Sequence, residues 1–450
     1  MKKQCCITGA VAVLLAVCPA VLFPGGKQFP TVMKIRERTA VVDRITAVRL
    51  DELLPRVMRE TGIDMWIMPS NEDNYDPVFN TMIPYDAWCP ITQILVLYDP
   101  GPGKKIERLN VSRTNMKGLH EKAWDSAAWD TEKKESQWDC LARIVRERDP
   151  KTIGINESDV IWAGDGLTAS LKRKLVETIG PLYAERLVSA EKASTLWLET
   201  LLDEELDLFE SAVAVSHALI AETFSNAVIT PGVTTTEDLI FYYRQRFADL
   251  GLGMAFRPHF SVMARHPDVE KIHPRTDQII RRGDILHCDV GIKYLRYNTD
   301  TQEMAYVLRR GETEVPEGLM AGFREGNKLQ DIFCGEFKTG LTGNELLGRI
   351  LKTAAASGIQ KPRVYSHSLG YYLHQPGPLI GLPWEQADTG ARGEVKLVPN
   401  SCFTVELSVN RPVPEWGGLD VRFRFEQDIV FTGTHVHYLD GRQTTFHVIK

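Results

Sequence analysis

The sequence predicts an α+β fold: an N-terminal α/β domain followed by a larger C-terminal domain built from two related halves. Three observations predict it. Helix-period and strand-length apolar segments alternate from residue 31 to about residue 190, and a long helical-period segment follows. Beyond it, a helix-opening pattern occurs twice, each copy leading into strands. The chain has 450 residues, 43% hydrophobic and 25% charged, with 34 Gly and 24 Pro, which is ordinary globular usage with room for two or three domains. Collagenous, low-complexity and disulfide-stapled small folds are excluded. Lys and Arg number 53 against 59 Asp and Glu, a net charge of −6 without long runs of one sign. Nothing in that balance suggests a nucleic-acid partner or an anionic membrane surface.

Lys2 and Lys3 precede an apolar stretch from Ile7 to Phe23, so residues 1–26 fit a secretory signal and predict an exported protein, periplasmic or secreted. Leu15-Ala16-Val17-Cys18 resembles a lipoprotein box with Val17 where a small residue is expected, and an uncleaved N-terminal anchor is the other reading. Membrane association is expected only through this segment. The first domain is placed at 31–191. In it Ile45 to Thr61 has a helical period, and Asp64 to Pro69 and Gln93 to Tyr98 are apolar runs of strand length. Leu198, Leu201, Leu202, Leu206, Phe209, Ala212 and Val213 predict a long helix within Leu196 to Ser225, opening a second domain at 192–450.

In that domain Gly232-Val233-Thr234-Thr235-Thr236-Glu237-Asp238-Leu239 matches Gly340-Leu341-Thr342-Gly343-Asn344-Glu345-Leu346-Leu347, 108 residues later. Each copy predicts a capping box, Thr234 with Glu237 and Thr342 with Glu345, opening a helix that Gly251 or Gly358 closes. Strands are expected after each, within Asp284 to Leu308 and within Ser401 to Phe431. Of eight cysteines, three fall in the leader; Cys89, Cys140, Cys288, Cys334 and Cys402 are scattered in apolar surroundings and predict buried free thiols.

Four acids fall on the late strands: Asp289, then Asp300 eleven residues on, then Glu406 and Glu426. Each alone reads as a residue on the wet face of an antiparallel sheet. Converging, they would repel and raise one another's pKa values, so such a cluster needs cations, and two divalent metals are the economical answer. Oxygen-rich ligation with one imidazole favours manganese, with iron, cobalt or zinc as alternatives. The imidazole would come from Ser366-His367-Ser368-Leu369-Gly370-Tyr371-Tyr372-Leu373-His374, where His367 and His374 suit ligand or substrate-contact roles.

In this order and spacing the residues resemble the pita-bread metallopeptidases, the creatinase, prolidase and methionine aminopeptidase superfamily. The resemblance runs from about Lys192 to the C-terminus. Ser366-His367 followed by Leu369-Gly370 and His374, with Arg424 two residues before Glu426, is similar to the Xaa-Pro aminopeptidase and prolidase branch. The region before it is similar in size to a creatinase-type N-terminal domain. The resemblance implies that Asp289, Asp300, His367, Glu406 and Glu426 bind two metal ions sharing a hydroxide, and that the substrate is a peptide cut at an N-terminal Xaa-Pro bond. It also implies Glu406 as proton shuttle, His273 and His374 as donors to the substrate, Arg424 as orienter of Glu426, and a homodimer. Departures surround the ligands: Thr301-Gln302-Glu303 replaces the usual Thr-Arg, Gln375 stands where an acid is common, and Leu407-Ser408 replaces Pro-Gly. A catalytically silent binding protein of the same fold and a creatinase-like non-peptide hydrolase are the competing readings.

Overall fold

The computed structural model describes residues 29–125 and 135–450; the leader and its three cysteines lie outside them. Among the described residues, no helix is long and apolar enough to cross a membrane. Cys89, Cys140, Cys288 and Cys402 are buried free thiols, as expected, and Cys334 is half-buried.

The first sheet has six strands. Met65–Asn71 and Thr92–Tyr98 form its centre as antiparallel partners, matching both expected strands to within two residues. Both are buried on two faces, because alternate side chains enter different cores. Trp66 and Met68 pack with Leu54, Val57 and Trp197, whereas Met65 and Ile67 pack with Cys140, Leu141, Ile144 and Leu175 of the helices Gln137–Arg148 and Ala169–Ile179. The expected helix from Ile45 to Thr61 starts earlier, at Ile35, and runs through a π turn at Arg49–Leu53 to Thr61, where Gly62 ends it at φ 68°. The π turn opens on Arg49, a fully buried cation.

The long helix expected within Leu196 to Ser225 is in fact two, Glu191–Glu199 and Asp203–Thr223. The break at Thr200 to Leu202 has tertiary causes. Arg49 Nη1 donates to the Thr200 carbonyl at 2.9 Å, and the Leu201 and Leu202 amides donate to Asn400 O (2.8 Å) and Glu205 Oε2 (2.9 Å), leaving these backbone groups unavailable to a continuous helix.

The duplicated pattern opens two fourteen-residue helices, Thr236–Asp249 and Gly343–Ala356. The second uses the expected box, with Glu345 N donating to Thr342 Oγ1 (3.2 Å) and Thr342 N to Glu345 Oε2 (2.9 Å). The first is displaced by one residue to Thr235 and Asp238, because Thr234 Oγ1 is already engaged by the Thr230 amide at 2.9 Å. Gly251 and Gly358 follow the helices in the left-handed region, at φ 62° and 83°.

Strands follow each helix as expected. After the first come His259–Arg265, Asp284–Val290 and Thr301–Val307, joined in one antiparallel run; after the second, Glu406–Val413 pairs with Leu419–Phe425. A bridge between Gln302 and Glu426 ties the two halves together. The helix Glu317–Gly335 covers the second half through a glycine face. A Cβ on Gly322 would stand 2.2 Å from the Phe423 ring, and one on Gly326 1.9 Å from Phe425. Only glycine lets the phenylalanines seat there, so the alternating Arg422, Arg424 and Glu426 point the other way.

Candidate active site

The four acids do not all lie within strands. Asp289 and Glu406 sit in the strands Asp284–Val290 and Glu406–Val413, while Asp300 immediately precedes Thr301–Val307 and Glu426 immediately follows Leu419–Phe425. The Gln302–Glu426 bridge brings the two latter positions together. His367 joins them from the turn between Arg363–Tyr365 and Ser368–Leu369. Ligand atoms of Asp300, His367 and Glu426, all buried, lie within 4.8 Å of one another, and His367 Nε2 is 3.5 Å from Asp300 Oδ2. Asp289 and Glu406 stand outside that tight trio. They line the adjoining cavity, of about 310 Å³, together with Gln302, Tyr365 and Arg424.

Electrostatics mark the cluster as uncompensated. Burial, then the charges of Asp289, Asp428 and Glu406, push the Asp300 carboxyl well above the carboxylate range; burial, then Asp300 and its neighbours, do the same to Glu426. Burial lifts Asp289 to about 6, and burial with the Asp289 charge lifts Glu406 to about 7; the Arg424 guanidinium pulls both down. Burial and His374 lower His367 to about 3, leaving a neutral imidazole with its Nδ1 3.2 Å from Ser368 O. Asp300 Oδ1 and Glu426 Oε1 are buried without any hydrogen-bond partner. Buried anionic oxygens without donors, beside a neutral imidazole, are what a bound divalent cation satisfies, so the donor set fits a metal.

The remaining expected residues divide. His374 lies with its ring centroid 4.4 Å from that of His367, edge to face. Arg424 lines the cavity, but the hydrogen bond that holds Glu426 Oε2 comes from Gln302 Nε2 at 2.8 Å. His273 is half-buried between Pro267–Glu270 and Arg275–Asp277, its carbonyl accepting from Arg265 Nη1 at 2.6 Å, and it is not among the described residues lining the cavity. The histidine paired across the sheet with Asp289 is His259, whose pKa falls through burial and the charges of Arg424 and Arg257.

Two further residues, Asp428 and Glu199, escaped the sequence reading, and a third, Gln302, entered it only as a departure from the family pattern. Asp428, fully buried and pushed up to about 8 by burial, accepts the Asp300 amide at 3.2 Å and adds a fifth acid under the cluster. Its only signal was its place two residues after Glu426. Gln302 bridges His287 and Glu426, each at 2.8 Å, and so replaces the expected basic neighbour with a neutral donor. Glu199, at the end of the helix Glu191–Glu199, accepts from Ser368 Oγ at 2.9 Å and braces the turn beside His367.

No curated protein gives a significant sequence match to the chain. In structure it is similar to an X-Pro aminopeptidase from Thermotoga maritima MSB8, at TM-score 0.60 and 18% identity, over 88% of this chain and 100% of that one. An Xaa-Pro dipeptidase from Bacillus anthracis is similar at 0.58 and 18%, over 90% and 100%, and a dipeptidase from Pyrococcus horikoshii OT3 at 0.57 and 18%, over 89% and 100%. At this identity the likeness shows the fold, a mixed α+β architecture with a pita-bread domain. The profile of metallopeptidase family M24 matches residues 207–433, half of the chain and every acid of the cluster, and the chain belongs to that family.

Proposed function

We propose that the chain is a dinuclear metallopeptidase hydrolysing the N-terminal Xaa-Pro bond of peptides, of the aminopeptidase P or prolidase type, with Asp289, Asp300, His367, Glu406 and Glu426 holding the ions. The observation that carries this is the meeting of buried, donorless carboxylate oxygens and a neutral imidazole beside an open cavity. Manganese is the proposed ion, since one imidazole among carboxylates is a hard donor set. When bound, the ions would supply an activated water and polarise the scissile carbonyl.

The chain's own residues do the rest. Glu406, on the cavity wall, takes the proton of the attacking water on its carboxylate and passes it to the leaving nitrogen, a contribution of roughly 100- to 10,000-fold. Burial and the Arg392 charge keep His374 neutral, so its ring N–H can donate to the substrate carbonyl. His273 is proposed as a second donor on the family resemblance alone. Arg424 bears on Asp289 and Glu406 by charge and is proposed to help orient Glu426, whose direct hydrogen bond comes from Gln302. A proline nitrogen has no N–H, so no acceptor is needed opposite it. The apolar leader supports export, and homodimerisation is proposed from the family resemblance.

The test is hydrolysis of Ala-Pro, Ala-Pro-Ala and Ala-Ala-Ala by leaderless, manganese-loaded protein and by Glu406→Ala. Cleavage before proline that drops at least about 100-fold in the variant is expected. Metal binding without cleavage of any peptide would defeat the substrate assignment, and neither binding nor cleavage would leave a silent binding protein.

A further inference from the structure

Two copies of one turn stand side by side at an end of the first half's sheet, away from the acid cluster. Arg281-Arg282-Gly283-Asp284 and Arg309-Arg310-Gly311-Glu312 share the pattern Arg-Arg-Gly-acid. Each closes through the amide of its acid, Asp284 N donating to Arg281 O and Glu312 N to Arg309 O, both at 3.1 Å. In each the glycine takes the left-handed conformation, at φ 91° for Gly283 and 89° for Gly311, and the acid's side chain turns back to accept the first arginine's amide at 2.8 Å. Strand register makes the two turns neighbours. Asp284 opens one strand, Val307 ends its antiparallel partner, and the Gly283 amide donates to the Val307 carbonyl at 2.7 Å.

The result is a local excess of positive charge. Both acids are already engaged: Asp284 also takes the Arg265 fork, and Glu312 Oε2 also accepts the Tyr306 hydroxyl at 2.9 Å. Of the four turn arginines, Arg281 alone has a carboxylate partner among the described residues, Asp277 at 3.0 Å. Arg282 Nη1 donates to the neutral Leu308 carbonyl at 2.9 Å, and Arg309 Nη1 meets His266 Nε2 at 2.8 Å, on a ring whose pKa is lowered by burial and then by the Arg309 charge. Arg310 and the Lys450 side chain make no hydrogen bond or ion pair among the described residues.

Arg282, Arg309, Arg310 and Lys450 line one open cavity of about 460 Å³, opposed by one lining carboxylate, Glu312. Lys450 is held at its rim through its backbone, which exchanges hydrogen bonds with the Asn226 side chain at 2.8 and 3.0 Å. A hollow of this volume is in the range of small-molecule sites. Four cations around it repel one another, and a multiply charged anion relieves that repulsion. A carboxylate brings one charge and two oxygens in a plane, whereas a phosphate group brings up to two charges and three oxygens pointing apart, so that several guanidinium forks and an ammonium engage it together. The strand Thr301–Val307 separates this cavity from the acid cluster, with Asp300 before its first residue and Leu308 after its last, roughly 25 Å along the chain.

We propose that this cavity is a seat for a phosphate group, bound by the forks of Arg282, Arg309 and Arg310 and the ammonium of Lys450. The phosphate has two sources, an ester of a small molecule or the free ion. Calorimetric titration of the chain with phenyl phosphate, inorganic phosphate and benzoate separates them. It would be run at fixed ionic strength and without added metal, so that cations at the acid cluster do not draw the anion. At least one of the two phosphates should bind saturably and about tenfold or more tighter than benzoate. Arg310→Gln should weaken that binding by about tenfold, the scale of one charge-assisted hydrogen bond, and Arg282→Gln/Arg310→Gln by about a hundredfold. Arg310 holds nothing in the fold, so Arg310→Gln should melt like wild type and keeps the test decisive where loss of Arg282 loosens its turn. Phenyl phosphate bound about tenfold tighter than inorganic phosphate names an ester, and equal affinities name the free ion. Binding of neither phosphate, benzoate bound as tightly as they are, or an affinity that both variants leave intact overturns the seat.

Discussion

Two buried carboxylate centres in this molecule are built on opposite plans. Around Glu205 the chain supplies everything the anion needs. Arg49 Nη1 stands 2.5 Å from Glu205 Oε2, the Leu202 amide donates to the same oxygen, and the hydroxyls of Tyr297 and Tyr371 donate to Oε1. Around Asp300 and Glu426 the chain supplies carboxylates in excess, one glutamine donor, and oxygens with no partner at all. The first centre is complete as folded and clamps the N-terminal helix Ile35–Val48 and its π turn to the helix Asp203–Thr223. Tyr297 and Tyr371 connect it to the segments that carry Asp300 and His367. The second is left open by the chain itself. A buried acid with its cation built in is architecture, and buried acids without one make a candidate binding site.

Breaking the complete centre should give the largest effect. Arg49→Met leaves Glu205 buried and unpaired, at a cost of about 3–5 kcal/mol, and the double variant Arg49→Met/Glu205→Gln should recover much of it. Denaturant unfolding of the metal-free chain measures both. A single variant as stable as wild type would show that the clamp contributes nothing.

Glu199 is the intermediate case, fully buried, with a hydroxyl donor but no cation in contact. Burial pushes its carboxyl up to about 7, opposed by Ser368, the Gly377 amide and the Arg392 charge. With the folded pKa raised, the unfolded chain loses its proton first, so wild type loses stability as pH rises from about 4.5 to about 7, by about 3 kcal/mol at most. Glu199→Gln mimics the protonated form. Its melting temperature relative to wild type should therefore climb between pH 5 and pH 8, and a constant difference would overturn the assignment. At the open centre, added manganese should stabilise wild type by about 2.7 kcal/mol at one hundred times its dissociation constant. Glu426→Gln should lose most of that gain while leaving the metal-free chain no less stable, since it removes a like charge. An undiminished gain would remove Glu426 from the ligand set.

The same contrast decides what the sequence could show. The acids gathered at the open centre were legible because each sits among apolar residues in an order and spacing that few other chemistries need, and the second capping box because Thr342 and Glu345 act within four residues of one another, whereas the first falls one residue later, on Thr235 and Asp238. Asp428 was hidden because alternation along Glu426-Gln427-Asp428 makes it read as one more strand residue. His259 lies thirty residues from Asp289 and meets it only through sheet register. The helix break at Thr200 is set by Arg49, about 150 residues earlier, so no window of sequence contains its cause. Local chemistry was readable; contacts made by register and by distant cations were not.

The smallest expected effect concerns the one neutral donor at the open centre. Gln302 gives Nε2 to Glu426 and takes, through Oε1, the hydrogen bond of His287 Nε2, whose ring burial lowers to about 3 and so keeps neutral. Gln302→Met keeps the volume and removes both bonds. Without metal, Glu426 Oε2 and His287 Nε2 are then buried and unpaired, which should cost about 1–3 kcal/mol for the pair. With manganese bound, Glu426 has another partner, and only the histidine's loss should remain. The destabilisation measured by melting should therefore shrink on adding manganese, whereas removal of a proposed ligand such as Glu426 should widen the gap to wild type. Opposite signs for the two variants under one titration separate a residue that holds a ligand from a residue that is one; equal signs would place Gln302 itself among the metal's contacts.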